Sequence, residues 1–177
     1  MTHILDTAQT TARYQDINKQ EFLDQVKDLD LIPFKVEVEK VDEDGNVEEA
    51  RIEFPSGIEA PDGIVQTNCA DKGRDGFRCF VWYRDGRWSA DASYEFNSGQ
   101  NYGGYAANPD ESPEYPSLRE AAEAAEGWAE SLAEELDLRC QEQTHGRRGE
   151  EFENEGITFI LTQDARWAKR SAKRAGA

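Results

Sequence analysis

A chain of 177 residues is long enough to bury a core without disulfide or metal staples. Its thirty-seven Asp and Glu against twenty Lys and Arg give a formal net charge of −17, far beyond the roughly 2 to 8 units a small domain needs for solubility. No run reaches the roughly 18 apolar residues of a membrane span, and residues 1 to 11 lack the basic start and apolar stretch of a signal peptide. These features argue against a membrane-embedded protein and for a cytoplasmic one, with Cys69, Cys79 and Cys140 as free thiols.

Residues 1 to 14 are polar and aperiodic and read as a flexible arm; 15–161 read as a single α+β domain, and 162–177 as a basic C-terminal helix or tail. A helix begins at Asn18, which caps it, with Glu21 closing a capping box and Ile17 positioned to staple onto Phe22. Leu23, Val26 and Leu29 continue its apolar stripe, and Pro33 ends it.

Two hairpins follow. In the first, Phe34, Val36 and Val38 alternate with charged residues, turn near Asp44-Gly45, and return through Ala50, Ile52 and Phe54 with Arg51 and Glu53 outward. Residues 55–75 read as a connection. The second runs from Phe77 to Tyr83, turns at Asp85-Gly86, and returns from Trp88 to Phe96 with Ser89, Asp91, Ser93 and Glu95 outward. After an irregular stretch at 97–116, Ser117 and Glu120 open a long helix whose apolar stripe is Leu118, Ala121, Ala125, Trp128, Leu132 and Leu136. Residues 140–156 read as loose, 157–161 as a strand, and Thr162 as the cap of a last helix. The pattern implies an α+β fold: a mainly antiparallel sheet of four to five strands with a long acidic helix packed on it and shorter terminal helices.

The charge is segregated. Residues 35–62 hold ten acidic and three basic residues, 110–137 hold ten and one, and the last thirteen residues carry five cations and no acid. On the long helix, Glu120, Glu123, Glu130, Glu134 and Asp137, with Glu126 at their edge, fall opposite the apolar stripe. They form a row roughly 25 Å long at about 1.5 Å per residue. Carboxylates repeating along a rod resemble, in sign and spacing, the phosphates of a nucleic-acid strand.

This row, with Asp42, Glu43, Asp44, Glu48 and Glu49 of the first hairpin, is the candidate partner-binding surface. Tyr102 and Tyr105 are candidate apolar anchors. In size, sign of charge and lack of enzymatic motifs the chain resembles, as a class, phage and mobile-element inhibitors of host defence of the anti-CRISPR or anti-restriction type. That resemblance implies a DNA-mimicking inhibitor of a basic nucleic-acid-binding protein. The alternative is an accessory protein-interaction domain with an acidic surface suited to high salt.

Other chemistries fit less well. Cys69, Cys79, Cys140 and His145 offer zinc-ligating atoms but no tight Cys-x2–4-Cys knuckle. His3 and His145 lie in polar stretches without an orienting partner, so no catalytic residue is assigned and no enzyme is expected. The Gly-rich stretch 97–105 lacks the Lys-Ser/Thr of a P-loop. The Arg- and aromatic-bearing strand at 78–87 resembles a base-stacking surface, but core packing explains it better. No cofactor, direct nucleic-acid contact or membrane contact is expected; pairing of opposite charge patches is compatible with a homo-oligomer.

Overall fold

The computed structural model describes residues 16–30, 33, 35–66, 76–95 and 113–176. In chain order these form α1 (Lys19–Asp28), β1 (Lys35–Val41), β2 (Val47–Pro55), a 3-10 turn (Pro61–Gly63), β3 (Ile64–Gln66), β4 (Gly76–Arg84), β5 (Arg87–Glu95), α2 (Leu118–Gln143), β6 (Glu151–Asn154), β7 (Ile157–Leu161) and α3 (Arg166–Ala175). The architecture is α+β, with a four-stranded antiparallel sheet in the order β1-β2-β4-β5 and a smaller sheet in the order β3-β7-β6. Among the described residues no helix is long and apolar enough to cross a membrane. The proposed arm at 1–14, Phe34, Phe96 and the stretch 97–112 lie outside the described residues.

The chain divides into two compact units. Described residues 16–30, 33, 35–55, 79–91 and 113–127 belong to the first, and 56–66, 76–78, 92–95 and 128–176 to the second. In the first, the Asn18 side chain accepts from the Glu21 amide while Glu21 accepts from the Asn18 amide, so the capping box forms as the sequence dictates. It aims Phe22 into an aromatic cluster, stacked on Trp88 at 5.8 Å and edge-on to Tyr83 at 6.2 Å. The first hairpin turn is organised by Asp42, whose carboxylate accepts from the Asp44 and Asn46 amides and the Asn46 side chain. Asp85 and Gly86 both have positive φ, the two-residue turn whose twist suits a hairpin. Beyond it, Tyr115 donates its amide to the Trp88 carbonyl and Arg87 pairs with Glu114, tying the entry of α2 to β5.

Two sequence expectations fail on this sheet. Glu53 and Asp91, assigned outward by alternation, are each only 4% exposed, and Ser93 is buried too. Alternation separates two faces but cannot say that both will be covered. Here the second face carries the buried ring of Phe80 under the Arg51 guanidinium, which pairs with Glu53.

The second unit gathers an aromatic ladder in which Tyr94 contacts Phe77 and Phe159, and Phe159 stacks on Phe152. The Tyr94 hydroxyl accepts from the buried Asn154 side chain at 2.7 Å, which satisfies both polar groups. The segment 140–156, expected to be loose, is ordered in two pieces. The helix α2 continues to Gln143, and β6 pairs with β7 across a Glu155-Gly156 turn with positive φ at both residues. Gln143 then covers the free edge of β6, donating to the Glu153 carbonyl and accepting from its amide. Within the 55–75 connection, β3 adds a third strand against β7.

Thr162 does not cap α3: its hydroxyl donates to the Gly63 carbonyl, and the cap residue is Ala165, which supplies no side-chain bond. Gly146 carries the start of that helix. At φ +70°, a Cβ there would meet the Ala168 methyl at 2.7 Å and the Trp167 ring at 2.8 Å. Gly146→Ala is therefore expected to cost about 1–3 kcal/mol from backbone strain and overpacking, read as a lower denaturant midpoint.

Candidate functional site

The helix α2 is a single 26-residue element. Ser117 accepts from the Glu120 amide at its start. Its buried side chains are Leu118, Ala121, Ala122, Ala125, Ala129, Leu132, Leu136 and Cys140. At about 100° per residue these share one face, and the alanines allow close approach of whatever lies beneath. Trp128, assigned to this stripe from sequence, is 45% exposed, and Ala129 takes the buried position. The reason is arithmetic: three helical turns from Leu118 are about 10.8 residues, which brings the buried direction to about position 129 and leaves Trp128 about 80° off it.

On the opposite face, Glu120, Glu123, Glu126, Glu130 and Glu134 are exposed, and none makes an ion pair among the described residues. Asp137 is half-buried and accepts from Gln141 at 2.8 Å. The cation nearest in sequence, Arg119, is turned to the Asp28 carbonyl at 3.4 Å. The row thus presents five exposed carboxylates without an ion pair among the described residues. Two apolar side chains of the helix are exposed: Leu138 at 58%, one turn on from Glu134 at the edge of the row, and Trp128, which borders the buried stripe on the side away from the row. They are ten residues apart, roughly 15 Å along the helix.

Comparison of the chain with protein-family models, curated proteins and solved structures found no match.

The hairpin acids are disposed differently from the helix acids. Asp42 is held by its own turn, whose amides and Asn46 side chain pull its carboxyl below the usual range. Glu48 pairs with Lys40 at 2.6 Å and Glu49 lies 3.9 Å from Arg84. Glu43 and Asp44 are exposed at the turn. Tyr102 and Tyr105 lie outside the described residues, as does Cys69. Cys79 is fully buried, and burial pushes its thiol well above the ordinary value, so it does not supply a thiolate. Cys140 is buried with its sulfur 3.6 Å from the Thr144 hydroxyl. No three His, Cys, Asp or Glu side chains gather as a metal-binding group among the described residues.

His145 does have a partner: its Nδ1 lies 2.9 Å from Glu150, whose carboxylate also accepts from the backbone amides of His145 and Arg147. Sequence reading missed this because the loop's order comes from amides, which a list of side chains does not display. The Arg147 amide first, then the His145 ring, hold the Glu150 carboxyl down at about 2, below its ordinary 4.5. A depressed carboxyl stabilises the fold in full above about pH 4.5, and that contribution is lost as pH falls through about 2. The thermal midpoint of the wild type relative to Glu150→Gln is therefore expected to be highest near neutral pH. The difference should close between about pH 4.5 and 2.

Proposed function

We propose that this chain is a non-enzymatic acidic binding protein that blocks a basic nucleic-acid-binding protein by presenting DNA- or RNA-like charge. What supports the reading is one observation: five carboxylates along the exposed face of α2 have no ion-pair partner among the described residues. Like charges at helical spacing cost a few tenths of a kcal/mol per pair, so the arrangement is mildly unfavourable until a cationic surface meets it. A Lys- and Arg-lined groove that normally holds phosphates supplies that surface, and attraction between the two accelerates encounter. Leu138, one turn on from Glu134, adds exposed apolar area at the flank, the kind of anchor on which a binding site concentrates its energy. The surface is the kind that phage and mobile-element inhibitors of host defence use.

The test is affinity capture by the immobilised chain from extracts of its native host at about 0.05 M salt. The expected catch is a nucleic-acid-handling protein with a cationic groove, released when salt is raised to about 0.5 M. Partners without such a groove, held regardless of salt, would overturn the reading.

A further inference from the structure

The helix α3 carries a second strongly charged face. Arg166, Lys169, Arg170, Lys173 and Arg174 fall within an arc of about 140° at about 100° per residue, and all are exposed. The other side of the helix carries Trp167 and Ala168, the side chains that crowd Gly146, so the cationic arc is the side turned outward. Lys169, Arg170, Lys173 and Arg174 make no ion pair among the described residues. A chain with seventeen surplus negative charges thus holds four exposed cations on one helix without an ion pair among the described residues.

We infer that the chain self-associates, the cationic arc of α3 in one copy docking along the acidic row of α2 in a second copy. The two faces match in sign and in repeat. The adjacent pairs Lys169-Arg170 and Lys173-Arg174 repeat after four residues, about 6 Å along the axis, and the acids stand at steps of three, three, four and four residues, about 5 Å on average. In a twofold pair each copy contributes one of each face, so two equivalent contacts form and both faces are used. A nucleic acid also complements α3, but the remaining surplus charge of the chain repels a polyanion, whereas the second copy brings the answering carboxylates. The paired copy has its row covered, so self-association and capture of a basic partner exclude each other; that regulatory consequence rests on the function proposed above, while the pairing itself does not.

The experiment is sedimentation velocity of the full chain, alone, at about 0.05 M and about 0.5 M salt. One variant reverses the arc (Lys169→Glu, Arg170→Glu, Lys173→Glu, Arg174→Glu) and a second reverses the row (Glu123→Lys, Glu130→Lys, Glu134→Lys). The wild type is expected to dimerise at low salt and dissociate at high salt. Each variant alone should bind itself at least roughly 30-fold more weakly. Mixed one to one, the two variants should form a heterodimer, because both contacts then again join opposite signs. Circular dichroism checks that both variants are folded, and the neutral set Lys169→Gln, Arg170→Gln, Lys173→Gln, which keeps helix propensity, should likewise weaken the pair. A wild type monomeric at low salt, a mixture that stays monomeric, or a chain that instead shifts a DNA duplex through α3 would overturn the inference. No basic partner is present in the experiment, so its failure leaves the proposed function standing.

Discussion

Reversing Glu123, Glu130 and Glu134 to lysine is expected to lower affinity for a basic partner by at least roughly 100-fold. Each position exchanges an attraction for a repulsion, and exposed charge pairs contribute up to about 1 kcal/mol each. Counting the attraction lost and the repulsion gained at each site, three such exchanges amount to about 3 kcal/mol, and each 1.4 kcal/mol is a factor of ten. The fold should be untouched. The three side chains are exposed and hold no ion pair among the described residues. Reversal also turns the Glu126–Glu130 pair, spaced i to i+4, from repulsive to attractive, so the thermal midpoint is expected to stay level or rise slightly. Loss of binding together with a raised or level midpoint, measured by titration calorimetry and thermal melting, separates a surface role from a folding one.

The second large effect distinguishes the two faces of the same helix. Leu136 is fully buried, and Leu136→Ala should cost about 2–5 kcal/mol, as large-to-small changes in a packed core do. Trp128→Ala should cost less, about 1–2 kcal/mol, despite removing a far larger side chain, because Trp128 is 45% exposed. The effect on binding should come from Leu138→Ala, which removes an exposed side chain one turn on from Glu134 and weakens the complex roughly tenfold or more. Denaturant midpoints for stability and calorimetric titration for affinity read the two quantities apart. A Trp128→Ala variant as unstable as Leu136→Ala would place the ring in the core.

The elements legible in the sequence are those whose information is local. Asn18 and Glu21 form their box, Asp85-Gly86 makes its turn, and Ala50, Ile52 and Phe54 lie buried on β2, because each depends on neighbours a few residues away. Elements fixed by distant partners were not legible. The strand β3 exists by pairing with β7, and Thr162 turns from capping α3 to the Gly63 carbonyl, 99 residues away. The β6–β7 turn uses Glu155 at positive φ where Asn or Asp would have signalled it. Glu53 and Asp91 were assigned outward because periodicity reports a face and is silent on what covers it.

The candidate site divides along the same line. The order of the carboxylates on α2 follows from helical spacing alone. Their lack of an ion pair among the described residues depends on where side chains such as Arg119 point, and that needs coordinates. Trp128 was misassigned because a tryptophan between two buried leucines looks like core, although strict periodicity selects Ala129.

An acidic surface adapted to high salt accounts for the same composition by another route. It requires the isolated chain to gain stability in molar salt without any partner, whereas a surface meant for a cationic groove requires binding to weaken as salt rises.

The most direct measurement is displacement of a fluorescent oligonucleotide from the captured partner, followed by anisotropy as the chain is added at about 0.05 M and about 0.5 M salt. The carboxylate row predicts stoichiometric release of the oligonucleotide at low salt, with little release at high salt and little at either by the triple lysine variant. A ternary complex in which the oligonucleotide stays bound, or equal displacement by the variant, would contradict it.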